Sequence, residues 1–337
     1  MASRILVIGP AWVGDMVMAQ SLFRRLREDD PDCIIDVVAP GWSLPVLQRM
    51  PEVRRGIELA AGHGEFGWRA RHELGHRLRA GRYDRGIVLP NSWKSALVPW
   101  FAKIPRRIGY ARELRYGLVN DLRKLDKTLL KTTVERFVAL AEPFAPSAPP
   151  QVPWPCLRAD AANGKAVCAR LGLSDDAAVA FMPGAAYGPA KRWPAAHFAA
   201  LARQLGHEGL HCWVLGSAGE SALGEEIAAA SDGAAVNLCG KTGLGDVIDL
   251  LGRVRAAVTN DSGLMHVAAA VGTPVVVLYG SSTPDFTPPL TTRKKIHYLR
   301  LDCSPCFERE CPLGHLNCLR QISPEAVAAS TRALVAL

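Results

Sequence analysis

Six prolines fall within thirteen residues, PFAPSAPPQVPWP at 143–155, close to the middle of the 337-residue chain. Proline has no backbone N–H and a fixed φ, so neither a helix nor a central strand can run through such a stretch. The chain therefore has to fold as two parts. Each part repeats one pattern, short apolar runs alternating with helical periodicity. In the first, runs at 5–9, 34–39 and 86–90 read as buried strands. A helix over 15–27 lines up Met16, Ala19, Leu22, Phe23 and Leu26 on one face. In the second, strand-like runs at 178–182, 212–216, 236–239, 256–259 and 274–279 alternate with helical patterns at 194–206, 220–230, 245–254 and 263–271. That alternation predicts two α/β domains with parallel sheets, each wound in the Rossmann manner, with a ligand cleft between them.

Composition narrows the function classes. Apolar residues make up 49 % of the chain, enough for two cores, and no apolar run approaches the ~20 residues a membrane span needs. The N-terminus, MASRILVIGP, reads as a first buried strand and not as a secretory leader, so a cytoplasmic protein is expected. Nine cysteines in that setting are thiols or metal ligands. The net charge of +8 is unevenly placed. Residues 1–150 hold 24 Lys and Arg against 16 Asp and Glu, whereas residues 151–337 hold 16 of each. An anionic partner is expected for the first half: nucleic acid, a phosphorylated acceptor or an anionic membrane surface. No RNA- or DNA-binding motif accompanies that charge, which argues against nucleic acid.

Three attractive motifs fail on inspection. Gly240-Lys241-Thr242 resembles the end of a phosphate loop, but the Gly that must stand five residues earlier is Ala235. The first strand ends Gly9-Pro10-Ala11, and Ala11 replaces the second Gly that lets a dinucleotide pyrophosphate approach the backbone. His72-Glu73-Leu74-Gly75-His76 has zinc-protease spacing, yet Arg69, Arg71, Arg77 and Arg79 surround it.

Three others hold. Asp15 opens the first helix at the C-terminal edge of the first sheet, placed either to complement the helix dipole or to face a ligand as a base. MPGAAYGPAKRW, 182–193, follows a strand with small residues and then Lys191-Arg192, a combination that suits a phosphate. Asn260-Asp261-Ser262-Gly263 leads from a strand into a helix carrying His266, more polar groups than an N-cap alone requires.

With IGPAWVGDM (8–16), LPNSWKSALVPWFA (89–102), MPGAAYGPAKRWP (182–194), TNDSGLMHVAAA (259–270) and YGSSTPDFTPPL (279–290), the chain resembles the bacterial lipopolysaccharide heptosyltransferases of glycosyltransferase family 9 over nearly its whole length. The resemblance implies a GT-B fold, two facing Rossmann-like domains. An acceptor domain spans 1–145, a linker 146–155, and an ADP-sugar domain 156–322. A C-terminal helix at 323–337 would pack back on the first domain. It implies transfer of heptose from ADP-heptose to the heptosyl-Kdo2-lipid A core, with inversion and without a metal cofactor. Asp15 would be the base and Lys191 the neutraliser of the diphosphate. Asp261, Ser262, Gly263 and His266 would lie at the donor sugar, with Gly184 in the phosphate loop and Glu220 on the ribose. Ala185-Ala186 depart from the hydroxyl residues some relatives carry after the Gly. Acceptor carboxylates and phosphates would meet the basic run of Lys94, Lys103, Arg106, Arg107, Arg112 and Arg115, with Lys94, Arg107, Arg112 and Arg115 as the chief binding candidates. The anionic inner leaflet would be a further partner, giving peripheral attachment. Pairing of these arginines with Glu113 and Asp121 is the competing expectation. Trp93, Trp100 and Phe101, interleaved with them, are expected mostly in the core. Another ADP-sugar transferase, or a nucleotide-sugar epimerase of similar plan, is the alternative. Cys303, Cys306, Cys311 and Cys318, with His315 among them, have the spacing of a structural metal site or of a loop of reduced thiols.

Overall fold

The computed structural model describes residues 2–60, 65–142, 146–174 and 177–336, which form two compact units, 1–157 and 158–337. In the first unit, six strands, β1 (Arg4–Ile8), β2 (Ile34–Ala39), β3 (Val53–Glu58), β4 (Arg85–Val88), β5 (Arg106–Tyr110) and β6 (Asp121–Arg123), form one sheet ordered β3-β2-β1-β4-β5-β6. Every pairing is parallel. The apolar run of β1 is central, with Ile5 to Ile8 buried. Helix Val13–Asp29 buries the face predicted for it, Met16, Ala19, Leu22, Phe23 and Leu26.

The second unit repeats the topology. Its strands are β7 (Ala178–Met182), β8 (His211–Val214), β9 (Ala235–Asn237), β10 (Ala256–Asn260), β11 (Val275–Tyr279) and β12 (Lys294–Tyr298), ordered β12-β11-β10-β7-β8-β9 and all parallel. Numbered within its own unit, each sheet reads 3-2-1-4-5-6, the Rossmann order. Each crossover returns the chain to the same edge, so both sheets present their C-terminal strand ends, and the loops that follow them, to ligands.

Two expectations about boundaries change. The proline-rich run does not end as a free linker. Its first residues, 143–145, lie outside the described residues. Its last are pinned to the first unit, where Cys156 N–H donates to Gln20 Oε1 at 2.9 Å, Gln20 Nε2 returns to Cys156 O at 2.8 Å, and Arg24 donates to Trp154 O at 2.9 Å. The division therefore falls after Leu157 and not at 155. The last helix, Pro324–Val335, has its apolar face inside the second unit, contrary to the expectation for 323–337. Val327, Ala328 and Leu334 join the core formed by Phe198, Leu201 and Leu205. Arg332 pairs with Glu208 at 2.6 Å, and the Trp193 indole donates to Ile322 O at 3.0 Å just before the helix.

Candidate active site

Three loops at the C-terminal edge of the second sheet, after β7, β8 and β10, carry the polar side chains singled out in the sequence, and the loop after β11 joins them. The loop after β7 is held at both ends by one side chain: Asn260, at the end of β10, donates from Nδ2 to Pro183 O at 2.6 Å and accepts from Trp193 N–H at 3.0 Å. Asn260 is wholly buried. It anchors the loop at both ends from inside the core.

Asp261 and Lys191, 70 residues apart in sequence, meet in a part-buried ion pair, Nζ to Oδ2 2.5 Å. Ser282 Oγ donates to the same carboxylate oxygen at 2.5 Å and Thr287 Oγ1 to the other at 3.4 Å. Tyr279 OH in turn donates to Thr287 O at 2.8 Å. Neither Ser282 nor Thr287 was assigned a role from sequence, although both lie in the quoted segment 279–290. Isolated hydroxyls after a strand carry no local signal, and only the fold brings them to the carboxylate. The Tyr187 ring lies 5.1 Å from the Lys191 ammonium and 5.5 Å from the Arg309 guanidinium, in cation–π contact with both. The ammonium is thus poised by an anion and a π face at an edge suited to an anionic ligand.

Ser262 precedes helix Gly263–Val271 without a side-chain cap, its hydroxyl 3.4 Å from Thr259 Oγ1. His266 is buried one turn below, and burial pushes its imidazole down to about 4. It is neutral at physiological pH.

Glu220 occupies the loop after β8. Its Oε2 accepts from Ser217 N–H at 2.7 Å and Ser217 Oγ at 2.8 Å. A Cβ at Gly184 would fall 1.5 Å from Glu220 Oε1, so Gly184 is what lets this carboxylate reach the strand ends. Gly188 allows another close approach, since a Cβ there would stand 2.4 Å from Arg309 O.

In the first unit, Asp15 is half-buried in the first turn of helix Val13–Asp29, at the C-terminal edge of β1. Trp42 Nε1 fixes the preceding loop by donating to Ala11 O at 3.0 Å.

The basic run is corrected. Arg115 is 1 % exposed, and its guanidinium donates to Pro90 O at 2.7 Å and Tyr110 O at 2.6 Å. Arg107 donates to the carbonyls of Ile104 (2.5 Å), Leu118 (2.6 Å) and Gly117 (3.1 Å). Both spend their guanidinium donors on backbone carbonyls beside β5, not on an acceptor. Arg106 pairs with Asp121 at 2.8 Å, as the competing expectation had it. Arg112 and Lys103 are exposed, and Lys94 Nζ donates to Glu65 O at 3.1 Å. Trp93 and Trp100 are not core residues either. They are 42 % and 44 % exposed, and only Phe101 is buried. Trp93 meets Phe66 in a tilted contact at 5.1 Å between ring centroids, and Phe66 stacks against Trp68 at 5.8 Å. His72 and His76 lie together on helix Trp68–Leu78, 4.3 Å between rings, with Arg79 donor-close to His76 at 3.1 Å, an arrangement that repels a cation. Among the described residues, no three or more His, Cys, Asp or Glu side chains stand in metal-ligand geometry, and no helix is long and apolar enough to cross a membrane.

Comparison with known proteins places this architecture. Residues 71–317 match the family model described as Glycosyltransferase family 9 (heptosyltransferase). Lipopolysaccharide heptosyltransferase 2 of Escherichia coli is 46 % identical over 342 residues, with 98 % of each chain covered. Lipooligosaccharide heptosyltransferase 2 of Haemophilus influenzae is 46 % identical over 305 residues, covering 87 % of each. The solved structure of E. coli ADP-heptose lps heptosyltransferase II superposes with a TM-score of 0.88 at 45 % identity, covering 99 % of this chain and 98 % of that one. Two six-stranded parallel sheets matched end to end in this way identify the fold as GT-B, and the full-length identity to heptosyltransferases, not the fold, sets the epimerase alternative aside. On the family match and on full-length identity far above what a shared fold alone would give, the chain belongs to glycosyltransferase family 9, the heptosyltransferase family.

Proposed function

We propose that this glycosyltransferase moves heptose from ADP-L-glycero-D-manno-heptose onto the heptosyl-Kdo2-lipid A inner core, as a heptosyltransferase of the second type in lipopolysaccharide biosynthesis. The observation that carries the reading is the Lys191–Asp261 pair at the ends of β7 and β10, in a chain whose full-length relatives bear that name. In this reading Lys191 faces the diphosphate. Asp261, with Ser282 and Thr287 on its two oxygens, holds the ammonium in place and lies toward the heptose. Glu220 takes the adenosine ribose through the gap left by Gly184. Ser262, Gly263 and the amides at the start of that helix complete the donor contacts.

The chemistry follows from the bonds exchanged. An acceptor hydroxyl attacks the anomeric carbon as the bond from that carbon to the diphosphate oxygen breaks, and attack from the opposite face inverts the centre. Asp15 accepts the hydroxyl proton, a contribution of about 10²–10⁴-fold. ADP leaves with the bonding electrons, and Lys191 stabilises the added charge in place of a divalent ion. For the acceptor, Arg112, Lys103 and Lys94 remain the basic groups of choice. The exposed rings of Trp68, Trp93 and Trp100 beside them suit the headgroup region of a membrane, where an aromatic ring is half wet and half dry. This favours action at the anionic cytoplasmic face of the inner membrane by peripheral attachment.

The experiment is incubation with ADP-heptose and heptosyl-Kdo2-lipid A, with ADP-mannose in parallel, followed by mass analysis of the lipid. One added heptose is expected. No product from this pair overturns the reading. Loss of activity in EDTA that magnesium restores overturns the metal-free mechanism. Binding to anionic vesicles should fall steeply as salt rises, and binding indifferent to salt would remove the membrane partner.

A further inference from the structure

The segment after β12 carries chemistry that sugar transfer leaves unused. Cys303, Cys306 and Cys311 are half-buried and Cys318 is buried. All four line one cavity with His315 and Ser281. At about 20 Å³ it admits a body the size of one water or one ion and excludes any sugar or nucleotide. The Ser281 hydroxyl, 1 % exposed, has no hydrogen-bond partner among the described residues. On the cavity wall, the backbone N–H groups of Leu316, Leu313, Gly314 and His315 turn toward the Cys311 sulfur. Asn317 N–H donates to His315 Nδ1 at 3.0 Å, which occupies that nitrogen's lone pair and leaves the sulfurs as the better donor set. The side chains ring the cavity without converging on one point.

We propose that Cys303, Cys306, Cys311 and Cys318 form a four-thiolate site for one thiophilic divalent ion, zinc or ferrous iron. Sulfur donors select these over magnesium or calcium, which take oxygen. On binding, each thiol releases its proton to solvent and each sulfur forms one bond to the ion. The half-exposed cysteines give the ion a way in.

The site would also brace the donor loop. Phe307 O accepts from Tyr187 OH at 2.5 Å, Arg309 O from Ala190 N–H at 3.0 Å, and Ser281 O from Phe307 N–H at 2.7 Å. Tying the 303–318 segment together therefore steadies the loop that carries Lys191. This second consequence rests on the donor assignment above, whereas the metal site does not.

The test is metal analysis of the full chain purified under reducing conditions, followed by cobalt exchange and absorption spectroscopy. About one zinc or iron per chain is expected, with a sulfur-to-cobalt charge-transfer band on exchange. Both should vanish in Cys311→Ser and Cys303→Ser, and persist in Cys33→Ser and Cys156→Ser. Should the first two variants fail to fold, release of the ion from the unaltered protein by a mercurial thiol reagent, in step with thiol titration, supports the site equally. A chain that neither carries nor takes up stoichiometric zinc, iron or cobalt overturns the proposal, as does a full complement of metal in Cys311→Ser. A raised donor KM with near-constant kcat after metal removal supports the bracing. Unchanged donor kinetics in a metal-free chain overturn the bracing alone.

Discussion

The first unit points its arginines at its own carbonyls and carboxylates, whereas the second gathers a cation, a carboxylate and two hydroxyls at its strand ends. Arg107 and Arg115 satisfy backbone oxygens beside β5, and Arg54 and Arg55 converge with the Tyr83 hydroxyl on Asp36, a wholly buried residue of β2. Burial alone would raise the Asp36 carboxyl, but the hydrogen bonds from Arg54 and Tyr83 hold it below the usual carboxylate range. Much of the positive excess of residues 1–150 is therefore internal wiring. The second unit, formally neutral, holds the better-built anion site. Net charge by halves reports where charges sit in the sequence and says little about which of them can meet a partner.

The comparison can be broken first at Asp15. Asp15→Asn should lower turnover by about 10²–10⁴-fold while ADP binding, measured by calorimetry, stays as in the unaltered chain. Near-normal turnover would reduce Asp15 to a helix-start carboxylate. Next comes Asp261→Ala, which leaves the part-buried Lys191 ammonium without its counter-ion. A loss of about 3–5 kcal/mol of stability in urea unfolding is expected, together with weaker donor binding. A variant as stable as the parent would mean that the pair is solvated.

His266 sharpens the same contrast through pH. Its folded value of about 4 lies below the ordinary 6.5, so the unfolded chain binds the proton more readily between those values. Stability is then complete above about pH 6.5 and falls as pH drops toward 4, by about 3 kcal/mol in all. His266→Gln should flatten that slope in urea titrations run across the range, and an unchanged slope would place the titrating group elsewhere. The smallest effect belongs to the first unit. Arg106 is 45 % exposed in its pair with Asp121, and Arg106→Ala should cost no more than about 1 kcal/mol. It should also leave acceptor kinetics unchanged. A raised acceptor KM would return this arginine to the binding surface.

Most of the fold was legible where strands are buried on both faces, because a parallel strand between two helical layers reads as a plain apolar run. β1, β2, β7, β10 and β11 are of that kind. The strands that escaped notice were β3 (VRRGIE), β5 (RRIGY), β6 (DLR) and β12 (KKIHY). Three of these are sheet edges, where charged residues guard against further pairing and erase the apolar signal. At the candidate site the split is similar. Lys191, Asp261, Gly184 and Glu220 stood in segments that could be singled out, and the fold brings them together in pairs. Ser282, Thr287 and Tyr187 could not be assigned, since their meaning lies in what they touch and not in their spacing.

The Asn260 amide that grips Pro183 and Trp193 has a consequence for how such a protein can change. It closes the intervening stretch into a buckled belt whose two ends are fixed to β10. Residues between the ends, Ala185-Ala186 among them, can be exchanged without shifting the anchorage of either end. Donor preference can thus be retuned by editing the belt while its buckle, and the sheet behind it, stay as they are.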